Sequence, residues 1–214
     1  LNSKLAIPYT WTDEFAERFF VPRDPNSVPE VAGSAKKKEW PPKKKHRAFA
    51  FGELSDRFIF DYLLGNTDRG MNDHNNFVYG GCTIETSCSP PAPHLRIKGP
   101  PHYAFLDHGS SFYSHKEPEG NPLSQNISDV KLCRFRRSTY QLLLAHSNHG
   151  DEFHHILPRE IQQRVSKHVF FVIKHSTIGK VDERLDKVGK IMERCADKFG
   201  AEHVFVLPDE APDE

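Results

Sequence analysis

The sequence predicts an α+β domain, mainly helical, with a short β-hairpin carrying the loops that hold its chemistry. An apolar helix over Phe58 to Leu64 stops at Gly65 and hands over to the polar run Asn66-Thr67-Asp68-Arg69-Gly70. Two short β-type runs come next, Asn75 to Tyr79 and Tyr103 to Leu106, and the second delivers Asp107 to the turn His108-Gly109. The last third of the chain repeats apolar residues every three or four positions, the period of helices that pack on a core.

Residues 1 to 50 read as an irregular, basic lead-in. Thr12 to Phe20 suits one short helix, with Asp13 and Glu14 in the first turn, where the positive helix end favours carboxylates. Prolines 22, 25 and 29 keep the next stretch from continuing it. The run Lys36 to Arg47, broken by Pro41-Pro42, reads as a solvated loop. Its sharper alternative is a contact with an anion: a phosphorylated or sulfated partner, or an acidic membrane.

From residue 51 to 206 the chain reads as the domain proper. Ser55 is placed to cap a helix running to about Leu64, with Phe58, Ile59, Tyr62 and Leu63 as its apolar face and Gly65 as its stop. Residues 82 to 101 hold five prolines with Cys82 and Cys88 and read as an inserted loop. Such a loop is uncommon in a compact domain unless stapled, and a Cys82–Cys88 bridge would be a small local staple. A helix from about Arg137 carries Tyr140, Leu143 and Leu144. Another opens at Pro158, with Ile161, Val165, Val169, Val172 and Ile173 on one face. Gly179 breaks that pattern, and the last helix lines up Val181, Leu185, Val188, Met192, Cys195 and Phe199 before Gly200. The acidic, proline-bearing tail from 207 to 214 is expected to be disordered.

Composition narrows the function. The chain has 214 residues, 37% apolar, with 16 prolines and a formal net charge of zero. No global field points to nucleic acid or a membrane surface, and no run approaches the roughly 20 apolar residues of a membrane span. No signal peptide is visible, and a chain beginning at Leu1 reads as an excised or processed segment. The four cysteines show no CxxC spacing, which argues against zinc; two disulfides and four buried thiols stay equally open on composition. Histidines 146, 149, 154 and 155 lack a helical pairing with a carboxylate, so no metal is expected there. Asn126-Ile127-Ser128 is a glycosylation sequon, usable only in the secretory pathway.

Asp68 and Asp107 carry the functional argument. Taken singly, Asp68 is an ordinary turn aspartate that caps its own backbone. Paired with Asp107 before a glycine turn, it fits phosphoryl transfer: one carboxylate takes the proton of the attacking hydroxyl, the other holds the metal beside the triphosphate. A third oxygen ligand is offered by Asp73, five residues after Asp68, with Asn76 as its rival. Arg69 reads as a structural partner and His108 as a space-filling neighbour of Asp107.

The run Ile59 to Arg69 resembles the catalytic segment of the secretory-pathway kinases that include the Golgi casein kinase, the glycosaminoglycan xylosyl kinase and four-jointed. The resemblance implies a protein-kinase-like C-terminal lobe. It makes Asp68 catalytic, Asp73 a nucleotide contact, and Asp107 a ligand of manganese (or magnesium) and nucleotide. A second block, Leu132 to Tyr140, is similar to the family's Cys-Cys-Arg-x-Arg-Lys-Ser-Thr-Tyr segment. It implies a Cys133–Cys195 disulfide, while Leu132 replaces the first family cysteine. The implied partners are ATP and a secreted-protein or proteoglycan acceptor, in the Golgi lumen or outside the cell, with homo- or heterodimers of related kinases or pseudokinases.

Three departures accompany the resemblance. No glycine-rich nucleotide loop, strand lysine or pairing glutamate is recognisable before Asp68, so an N-terminal lobe is expected to be absent. The insertion at 82–101 is foreign to the pattern, and His108 stands where the family has asparagine. Two alternatives remain. Type II phosphatidylinositol 4-kinases share a run similar to Asp61–Gly70, although a cytosolic lipid kinase has no use for the disulfide. A pseudokinase or allosteric partner would suit the missing lysine and glutamate.

Overall fold

A computed structural model of the chain describes residues 11–23, 45–68, 77–79, 102–104, 108–112, 115–147, 156–168 and 175–211. The domain is mainly helical. Among the described residues the α-helices run in the order α1 (Asp13–Phe19), α2 (Lys45–Leu64), α3 (Arg137–His146), α4 (Ile156–Arg164), α5 (His175–Phe199) and α6 (Ala201–Val204), with a 3-10 turn at Pro122–Ser124. Among the described residues the strand content is one antiparallel pair, β1 (Phe77–Tyr79) and β2 (His102–Ala104), in register Phe77↔Ala104 and Tyr79↔His102. No helix among the described residues is long and apolar enough to cross a membrane.

Helix α1 starts where the sequence predicts, because the Thr12 hydroxyl accepts the Phe15 N–H at 3.2 Å. Its Phe15 and the adjoining Phe20 are buried. They meet Phe51 of α2 at centroid distances of 6.1 and 5.6 Å, and Trp11 meets Phe58 edge-on at 5.1 Å. The expected lead-in therefore contributes to the core. Helix α2 also runs unbroken through residue 50, where a boundary was expected.

Ser55 is not a cap. It lies ten residues inside α2, fully buried, and donates to the Arg134 carbonyl at 3.2 Å. A buried hydroxyl with a long-range acceptor is satisfied without a helix end. Gly179 likewise does not break the last helix; α5 runs through it from His175. A Cβ at that position would meet nothing within 4 Å, so this glycine faces open space and costs only its propensity, about 1 kcal/mol. The helix expected from Pro158 instead begins at Ile156 and ends at Arg164. Val165 and Ser166 leave it, serine being a residue whose side chain competes with helical bonds. Helical backbone resumes at 167–168, and residues 169–174 lie outside the described set.

Helix α5 is the spine. It buries Ile178, Leu185, Val188, Ile191, Met192, Cys195 and Phe199, and packs against α2, α3, α4 and α6. Cys195 is bonded to Cys133, 62 residues earlier, with Cα atoms 5.4 Å apart. Closing that loop restricts the unfolded chain by roughly 2–4 kcal/mol.

The segment Cys133–Tyr140 ties the domain together. Arg134 donates to Phe19 O at 2.5 Å, a cation at the negative end of α1, and burial pushes its guanidinium down to about 10. Phe135 is buried; its N–H donates to Val204 O and its carbonyl accepts from Leu207 N–H. Arg136 reaches α2, Thr139 donates to Asp56 Oδ1 at 2.7 Å, and Tyr140 stacks on Phe205 at 4.5 Å.

The start of the tail is ordered, contrary to expectation. Leu207 is 4% exposed, Pro208 O accepts from Arg136 Nε at 2.8 Å, and Asp209 accepts from the Ser138 hydroxyl. A leucine with a core site to fill holds the residues beyond it.

Candidate active site

The loop bearing Asp68 grows out of the C-terminus of α2. Gly65 adopts φ 65°, its N–H donates to Tyr62 O at 3.0 Å, and the Asn66 N–H donates to Asp61 O at 2.9 Å. These two bonds satisfy two of the last four carbonyls of the helix and turn the chain sharply. A second constraint comes from α5. A Cβ on Gly65 would lie 2.2 Å from Arg184 Nη1. Arg184 is 2% exposed and donates to Lys116 O at 2.7 Å. Burial lowers its pKa, against the pull of the Glu117 carboxylate.

The Gly65→Ala variant is therefore expected to lose stability twice over. The left-handed φ costs a non-glycine residue roughly 1–2 kcal/mol, and the methyl group must displace a buried guanidinium. Urea unfolding checks this: a midpoint unchanged from wild type would mean that Arg184 gives way freely.

Asn66 then sets the position of Asp68. It is 2% exposed, its Nδ2 donates to Asp61 Oδ1 at 3.3 Å, and its Oδ1 accepts the Asp68 N–H at 3.2 Å. The amide fixes the backbone of Asp68 from the side.

The same loop is stitched to the turn beyond Asp107. Thr67 N–H donates to Ser110 O at 3.1 Å, and Phe112 N–H donates to Leu64 O at 2.6 Å. Ser111 N–H closes the turn on His108 O at 3.0 Å, and the His108 ring lies edge-on to Phe60 at 5.4 Å. Phe112 has φ 65°, a left-handed conformation that costs a bulky residue of order 1–3 kcal/mol and must be held by its surroundings. The turn next to Asp107 in the chain thus lies beside the Asp68 loop.

Asp107, Asp73, Asn76 and Arg69, with Cys82 and Cys88 and the histidines 149, 154 and 155, lie outside the described residues. His146 Nδ1 lies 2.8 Å from Leu142 O, within its own helix. Among the described residues no group of three or more metal-ligating side chains is assembled. Asn126 is exposed, with Nδ2 donating to Asp129 Oδ2 at 3.3 Å.

Sequence reasoning missed Asn66 and Arg184. Arg184 left a signal: it stands three residues after Val181 and four before Val188, a charge on an otherwise apolar seam. A buried cation is retained only where acceptors await it. No protein-family model and no curated protein matches the chain.

Proposed function

We propose that this chain is the C-terminal catalytic lobe of a secretory-pathway kinase, moving the γ-phosphoryl group of ATP to a hydroxyl on a secreted protein or glycan. The observation that supports it most is the pair of backbone bonds, Thr67 to Ser110 and Phe112 to Leu64, which sets the Asp68 loop against the turn after Asp107. These bonds join two segments more than forty residues apart, one bearing Asp68 and the other following Asp107 in the chain, and that is what supports the reading.

In this reading Asp68 orients the acceptor hydroxyl and takes its proton as oxygen attacks the γ-phosphorus and ADP leaves. Asp107, with Asp73 or Asn76, would hold a manganese or magnesium ion; an all-oxygen donor set suits either hard cation. When bound, the ion neutralises the triphosphate charge. Asn66 keeps the Asp68 backbone in place, and Arg184 supports the turn from beneath. The Cys133–Cys195 disulfide favours an oxidising compartment, hence the Golgi lumen or the cell exterior over a cytosolic lipid kinase.

Thermal melting of the full-length protein tests the proposal. Manganese plus ATP is expected to raise the melting temperature, by an amount set by ligand concentration over Kd. Asp107→Ala should lose that shift and Asp68→Asn should keep it. No shift in the wild-type protein would remove the nucleotide site. A shift without phosphoryl transfer to any hydroxyl acceptor would favour the pseudokinase reading.

A further inference from the structure

We propose that Asn126 carries an N-linked glycan, added before the loop around it closes. The sequon Asn126-Ile127-Ser128 lies in a turn in which Asn126, Ser128 and Asp129 are all exposed. Seven residues on, Cys133 is bonded to Cys195, which favours an oxidising compartment of the kind in which glycan transfer takes place. Sequon, exposure and bridge are independent features of one short stretch.

The folded loop also sets an order of events. Asp129 accepts the Asn126 amide through Oδ2 at 3.3 Å and the Ser128 hydroxyl through Oδ1 at 2.9 Å. Those are the two sequon groups that transfer requires, and both are engaged in the finished fold. Arg194 on α5 then ties the loop down, Nη1 to Ser128 O at 2.6 Å and Nη2 to Val130 O at 2.7 Å. Its neighbour Cys195 makes the disulfide. Beyond the local bonds of Asp129, the loop is held by Arg194 and Cys195, residues synthesised more than sixty positions later, so it is tied down only once α5 has packed.

In the transfer step the Asn126 amide nitrogen bonds to the anomeric carbon of an oligosaccharide activated as a lipid diphosphate. The bond from that carbon to the phosphate oxygen breaks, the lipid diphosphate leaves, and the amide gives up one proton. Nδ2 keeps its other N–H, which can still donate to Asp129. The inference rests on the sequon and the disulfide, so failure of the kinase reading would leave it intact.

The test is mass spectrometry of the full-length protein purified from its own cells. It is treated with peptide N-glycosidase in heavy-oxygen water, and the state of Cys133 and Cys195 is read from the same digest. The expected result is residue 126 converted to heavy-labelled aspartate in most chains. Asn126→Gln and Ser128→Ala should each lose the corresponding glycan mass while Cys133–Cys195 stays closed. Unmodified Asn126 in chains with the disulfide formed overturns the proposal, and so do free thiols at both cysteines.

Discussion

Under the proposed kinase function, replacing Asp68 by asparagine is expected to lower phosphoryl transfer about a thousandfold, the middle of the range for a lost general base, while the fold and nucleotide stabilisation stay intact. The reason lies in what holds the loop. Gly65 and Asn66 close on α2 through their backbone N–H groups, Thr67 bonds Ser110, and Asp68 is held through its own N–H by Asn66 Oδ1. An amide of the same shape leaves those backbone bonds in place and removes the carboxylate's ability to take a proton. Steady-state turnover in the full-length protein, with the melting temperature measured in parallel, separates the roles. A loss of less than tenfold would make Asp68 an ordinary turn residue. A collapse of the melting temperature would make it structural. Asp107→Ala offers the contrast, since it is expected to lose both turnover and manganese–ATP stabilisation.

Local chemistry made part of this protein legible. Thr12 before two acids marked α1, Gly65 marked the end of α2, and the spacing from Leu185 to Phe199 marked the buried face of α5. The Cys133–Cys195 pair was implied by a resemblance and is present. What was misread depends on partners distant in sequence. The first half of α2 contains Gly52, a poor helix former, and no helix start was recognised there. In the fold, a Cβ at Gly52 would lie 2.6 Å from Arg136 Nε, so the glycine makes room for a guanidinium 84 residues away. Ser55 looked like a cap because its acceptor, Arg134 O, is 79 residues on. The tail looked solvated because nothing local shows that Leu207 fills the core beside Phe135. The candidate site obeys the same rule. Asp68 and Asp107 could be singled out as types, but the bonds joining their segments span more than forty residues and belong to tertiary structure.

Arg136 is where those long-range partners converge, and Arg136→Ala should be among the most destabilising single changes in the chain. Nη1 meets Asp56 Oδ2 at 2.5 Å, Nη2 meets Glu53 Oε1 at 3.0 Å, and Nε donates to Pro208 O at 2.8 Å. The guanidinium also lies 4.8 Å over the Phe49 ring. The side chains of Arg136, Glu53 and Asp56 are 9%, 14% and 24% exposed, so removing the cation takes the guanidinium from two carboxylates that water reaches poorly. Breaking a buried ion pair from one side costs roughly 3–5 kcal/mol. Arg136→Lys should recover little, because an ammonium cannot present a planar fork to two carboxylates and a carbonyl at once.

The pH dependence sharpens the expectation. Burial raises the Asp56 pKa above its ordinary value, while Arg136 and Thr139 pull it back down. Between the unfolded value and the raised folded value, the folded state holds the extra proton. The stability contributed by Asp56 is therefore full below the unfolded value and declines as pH rises through that window. Without Arg136 the window extends upward, so the variant should lose more against wild type at neutral pH than in mild acid. Urea midpoints at about pH 5 and about pH 7.5 measure the gap, which should narrow on acidification. A gap that is constant with pH, or a cost below about 1 kcal/mol as for a surface pair, would show that Arg136 is solvated and that the clamp on α2 lies elsewhere.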